Sequence, residues 1–165
     1  MKENRNIIFN HLKIHSQYSI CEGAIRIDEL KEFCKNKKIQ SIGLSDTNNL
    51  CGALEFSENI SKAGTQPIIG TQINFKFEET TGLLSLISVN EIGYKRIIEL
   101  SSKSYLENDK LSEPHLDIKE VSKKNEGCIL LSGTVYGLFG KLFEKGKFED
   151  IKKIYENLSS SFKDR

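Results

Sequence analysis

The sequence has no apolar run long enough to cross a membrane, and its start, MKENRNIIFN, lacks the apolar centre of a signal peptide. It also lacks an excess of charge. Lys and Arg number 24 against 23 Asp and Glu, a formal net charge of +1. That balance gives no bulk electrostatic pull toward nucleic acid or an anionic surface. Short basic runs at Lys35, Lys37, Lys38 and at Lys152, Lys153 have acids around them and read as solvated helix faces. The four cysteines, Cys21, Cys34, Cys51 and Cys128, include no C-x-x-C pair, so neither a zinc knuckle nor a redox motif is indicated. Reduced, mostly buried thiols in a cytoplasmic protein are the expectation. Low-complexity linkers and internal repeats are missing too. With 165 residues, 38% of them hydrophobic, the chain fits one globular domain.

What is there is periodic. IIFNHLKIH (7–15), SIGLSD (41–46), QPIIGTQINFKF (66–77), LLSLISV (83–89) and GCILLSG (127–133) read as strands. Helical spacing marks 25–38, 51–64 and 91–107, with a short helix in IKEVSKK and two more over 135–145 and 147–160. In the 91–107 helix, Tyr94, Ile97, Ile98 and Tyr105 share one side. A polar link covers 108–116. Strands alternating with helices predict a mostly parallel α/β sheet or barrel, whose chemistry collects at the carboxyl ends of strands. HSQYS, SDTNNL, GTQ and SGT all fall there. A closed barrel of this kind takes roughly 200 residues or more; this chain supplies about four or five βα units.

His11, Lys13 and His15 would project from one strand face. Two imidazoles there suggest half of a metal site, and a lysine between them argues against one. Glu22, Asp46 and Gln72 also stand at strand ends. From the residues alone these polar groups read first as turn residues rather than ligands, and Asp46 with Thr47, Asn48 and Asn49 can serve as a cap for the helix that begins near Leu50. His115 beside Pro114 reads as a loop residue, and Tyr18 and Ser19 as residues that shape the first loop.

The order of the segments is more specific. FNHLKIHSQYSICEGAIRI, IGLSDTNNLCGALEF, AGTQPIIGTQINF, EIGYKRIIELSSKSYLE and GCILLSG resemble, in order and spacing, the PHP (polymerase and histidinol phosphatase) domain at the amino end of the bacterial DNA polymerase III alpha subunit. The resemblance runs from about Ile7 to Arg165. It implies a distorted seven-stranded βα barrel, here reduced to its first four or five βα units, at the start of a much larger replicative polymerase. Residues 1–165 would be the first part of a PHP domain, incomplete and without the polymerase core.

Metal-competent members of the family read H-x-H-S-x-Y-S, with histidines at the positions of Lys13 and His15 and an acid at that of Glu22. They carry D-H-G-N in the second motif, with a histidine at the position of Thr47, and a glutamate at that of Gln72. The resemblance thus leaves His11, His15, Glu22 and Asp46 as remnants of a site and makes Lys13, Thr47 and Gln72 lost-ligand positions. An ammonium and two neutral side chains offset poorly the charge of clustered divalent ions. The implied reading is no metal, no cofactor and no catalytic residue in this chain, which would act as a structural and docking module. Mg2+ and DNA-directed nucleotidyl transfer would belong to the full-length polymerase. The implied partners are the rest of the alpha subunit and a separate proofreading exonuclease subunit, with DNA touched only weakly. A metal-dependent phosphoesterase or pyrophosphatase is the competing function. A stand-alone histidinol phosphatase is disfavoured, because GYKRIIELSSKSYLE and CGALEF resemble the polymerase branch.

Overall fold

In the computed structural model, which describes residues 9–109, 111–123 and 125–162, the longest strand, β2 (Gln66–Phe77), organises the sheet. β1 (Ser41–Thr47) pairs with its first half in parallel, and β3 (Thr80–Ser88) returns antiparallel along its other edge. The short β4 (Leu116–Asp117) pairs in parallel with Phe75 and Lys76, on the edge that β1 leaves. β5 (Cys128–Leu131) lies antiparallel on β3. Among the described residues this gives a five-stranded sheet of order β1-β2-β3-β5, with β4 on β2.

The expected mostly parallel sheet is therefore mixed. The cause is the link between β2 and β3. Phe77 pairs with Thr80, which leaves only Glu78 and Glu79 between them, too few for a crossover but enough for a hairpin. Glu78 takes the positive φ, +50°, that such a turn asks for. Lysines in and just after a later helix hold the tip. Lys141 Nζ donates to Thr81 O (2.9 Å), Lys145 Nζ to Thr80 Oγ1 (3.0 Å), and Lys147 pairs with Glu78 (3.3 Å).

The strand expected over 7–15 is also reduced. Residues 7 and 8 lie outside the described residues. The rest joins the sheet through one bridge, Ile14 to Leu44, with Ile14 N–H donating to Gly43 O (3.1 Å) and Ser45 N–H to Ile14 O (2.8 Å). Gly43 lets the segment come so close: a Cβ there would stand 2.8 Å from Leu12 Cα. Beyond the bridge the chain bends away, and Gln17 N–H bonds to Ile25 O (2.9 Å).

Six helices flank the sheet among the described residues: α1 (Ile27–Lys37), α2 (Ala53–Lys62), α3 (Glu91–Leu106), α4 (Ile118–Lys123), α5 (Leu138–Glu144) and α6 (Phe148–Phe162). α1 buries Ile27, Leu30 and Cys34, places Asp28 and Glu29 in its first turn, and ends where Lys38 turns left-handed. Asn90 caps α3 by accepting from Gly93 N–H (3.0 Å). The buried side of α3 is Gly93, Ile97, Leu100 and Ser104, whereas Ile98 and Tyr105 of the expected stripe are exposed. Gly93 sets that rotation, because a Cβ there would lie 1.8 Å from Gly127 O. Tyr105 instead reaches over to donate its hydroxyl to Asn48 O (2.8 Å).

Ile73, Phe75, Leu84 and Leu86 face one apolar core with α3, α5 and α6. Ile42 and Leu44 face a second with α1 and α2. None of the four cysteines is joined in a disulfide; Cys34 and Cys128 are buried, but Cys21 and Cys51 are exposed in polar loops, so burial accounts for only half of them. No described helix is long and apolar enough to cross a membrane.

Glu120 ties α4 to α3. Hydrogen bonds from Lys103 and then Lys123 (2.8 Å) hold its carboxyl down, from 4.5 to about 2. A lowered folded-state value stabilises the fold fully above the unfolded value and loses that effect as pH falls toward the folded one. Melting temperature should thus fall between pH 4.5 and about 2, and fall less steeply in Lys103→Met. Equal slopes in calorimetric scans of both proteins would refute the assignment.

A hydrogen-bonded network at the candidate metal centre

The loop over residues 16–23 carries the site. Ser19 N–H bonds back to Ser16 O (2.9 Å), and that turn brings two hydroxyls three residues apart to the same side. Glu22 and Gly23 both donate their N–H to Ser19 O. Only glycine fits at 23, since a Cβ would lie 2.0 Å from Ser16 O. Asp46, 1% exposed near the end of β1, receives the loop. Its Oδ1 accepts from Ser16 N–H (2.6 Å) and Ser19 Oγ (2.7 Å), and its Oδ2 from Ser16 Oγ (2.7 Å). Ser19 Oγ also accepts from Thr47 N–H (3.1 Å). Further along, the Tyr18 hydroxyl donates to Glu55 (2.7 Å), whose carboxylate raises the phenol above its usual range.

Alternation puts Thr47 on the opposite face of β1 from Asp46. There the register aligns Thr47 with Gln72 and Gln72 with Ser85, a polar row across three strands. The Glu22 carboxylate closes over this row. Thr47 Oγ1 donates to Oε2, and Gln72 Nε2 to Oε1 (3.2 Å). Gln72 Nε2 also donates to Thr47 Oγ1 (2.7 Å), and its Oε1 receives the Ser85 hydroxyl at 3.5 Å. Every proton has a place. The two amide N–H groups of Gln72 go to Glu22 and Thr47, and the single hydroxyl proton of Thr47 goes to Glu22. His15 Nε2 stands 3.7 Å from Glu22 Oε1, while its buried Nδ1 has no hydrogen-bond partner among the described residues.

His15, Glu22, Thr47 and Gln72 are thus brought together, with Asp46 behind them on the other face. His11 is not: its ring stands edge-on to Phe9, with centroids 4.8 Å apart. Lys13 is exposed and takes no part in the network. His115 remains in its loop, Nδ1 against Glu113 O (2.8 Å). Among the described residues, no three His, Cys, Asp or Glu side chains converge as a group able to hold a metal ion. Ser85, and the bond from Asn74 Nδ2 to Glu113 Oε1 (2.9 Å), were invisible in the sequence. Only cross-strand register reveals the first, and only the path of the 107–115 loop reveals the second.

The PHP domain family matches residues 11–165 of the chain. The chain belongs to the PHP domain family. Its curated relatives include DNA polymerase III subunit alpha of Caulobacter vibrioides, 37% identical over 165 residues, covering 95% of this chain and 14% of the relative. The subunit of the same name from Borreliella burgdorferi is 36% identical over 155 residues, covering 87% and 13%. This PHP chain therefore spans about a seventh of the length of the curated relatives it matches. An amidohydrolase structure from Chromobacterium violaceum, with bound sulfate and no metal, aligns at TM-score 0.45 and 12% identity over 89% of this chain and 54% of the other.

Removing the Asp46 carboxylate leaves three buried donors of the PHP loop without an acceptor. Asp46→Ala should therefore cost about 3 kcal/mol or more of stability in urea unfolding. A loss within error of zero would show that the loop is held by other means.

Proposed function

We propose that the chain is the first part of the PHP domain of a DNA polymerase III alpha subunit, with the polymerase core outside it, and that it serves there as a structural and docking module with a degenerate metal centre. The observation that carries this reading is the direction of the hydrogen bonds on Glu22. A divalent cation needs acceptor atoms turned toward it. Here Gln72 and Thr47 turn N–H and O–H groups toward the one carboxylate that reaches the row, and Asp46 already accepts three hydrogen bonds. The donor set does not suit a resident metal ion. We therefore assign no catalytic step to this site.

The likeness to alpha subunits at 31–37% identity supports a role in DNA replication for the whole protein. In that reading the cytoplasmic full-length polymerase carries out Mg2+-dependent, DNA-directed nucleotidyl transfer outside this chain. The module packs against the rest of the subunit and offers a surface to a separate proofreading exonuclease subunit.

Elemental analysis of protein purified without chelator tests the site. Less than stoichiometric zinc or manganese is expected, and one equivalent or more would favour the metal-dependent phosphoesterase reading instead. Binding to a primed DNA template should be weak, with a shallow salt dependence, because a net charge of +1 leaves few phosphates to neutralise. Sub-micromolar affinity at physiological salt would contradict it.

A further inference from the structure

The residues at positions 47 and 72 do more than fail as ligands. We infer that Thr47 and Gln72 form a metal-free cross-link, in which hydrogen bonds to Glu22 fasten the 16–23 loop to β1 and β2. The inference rests on the degenerate-site reading above.

Three observations converge on it. Glu22 comes from the loop, Thr47 from β1 and Gln72 from β2, with Ser85 of β3 behind them, so the network joins separate segments of the chain. Gln72 is 1% exposed, and an amide buried to that degree is costly unless its hydrogen-bonding groups are satisfied. Glu22 and Thr47 take its two N–H groups and Ser85 stands 3.5 Å from its oxygen, so both donors of the amide are satisfied. The charge arrangement agrees as well. A glutamine can donate to a carboxylate where a glutamate would repel it. The same position that cannot attract a cation is thereby able to hold Glu22 directly.

Such a network has a measurable signature: its members act as a unit, so removing a second one costs little once the first is gone. The test is a double-mutant cycle on the full 165-residue chain, with Glu22→Ala and Gln72→Met. Urea unfolding is followed with and without chelator. The double variant's unfolding constant should fall short of the product of the single effects by roughly tenfold. A second cycle, Glu22→Ala with Thr47→Val, removes only a hydroxyl at 47 and serves if Gln72→Met does not fold. Hydrogen exchange supplies a local readout. The Glu22 and Gly23 amides, bonded to Ser19 O, should lose protection in Thr47→Val while amides of β2 keep theirs. Additive effects in a chelator-insensitive protein would overturn the cross-link and leave the degenerate-site reading standing. Chelator-sensitive stability of the unaltered chain would overturn that reading, and the cross-link with it.

Discussion

Asp46 is a carboxylate 1% exposed that forms no ion pair among the described residues, and its hydrogen bonds make that burial tolerable. An isolated buried charge would cost several kcal/mol. Ser16 and Ser19 supply the compensation, and they do so only in the turn that the 16–23 loop adopts. The loop's shape, the reach of Glu22 across the sheet and the meeting of Glu22 with Thr47 and Gln72 all follow from that one requirement. Gly23 and the short bridge at Ile14 then deliver the loop to the carboxylate.

Periodicity made much of this fold legible. The apolar positions of α1 and α2 repeat at helical spacing, and β2 begins and ends where its composition changes. The direction of β3 was not legible, because Glu78-Glu79 carries none of the glycine or asparagine that usually announces a two-residue turn. The buried face of α3 escapes the sequence for a different reason. Apolar spacing favoured Ile98 and Tyr105, but a glycine-to-backbone approach at Gly93 decides the rotation, and glycine scores nothing on an apolar scale.

At the site, five positions were in view from the sequence: His15, Glu22, Asp46, Thr47 and Gln72. The division of Asp46 and Thr47 between the two faces of β1 follows from strand alternation alone. The hydrogen-bond saturation of Asp46 and the part of Ser85 depend on loop path and strand register, which leave no local mark. Pairing His11 with His15 presumes a regular strand, whereas this segment joins the sheet through the single bridge at Ile14.

The closed proton count around Gln72 bears on how the row tolerates substitution. Both amide hydrogens and the Thr47 proton are committed, so a change at either position alone breaks bonds that the other cannot replace. A glutamate at 72 would confront Glu22 with a second carboxylate, and a histidine at 47 would strand the amide. The row is therefore brittle toward single substitutions, and a change at one position is accommodated best by a matching change at the other.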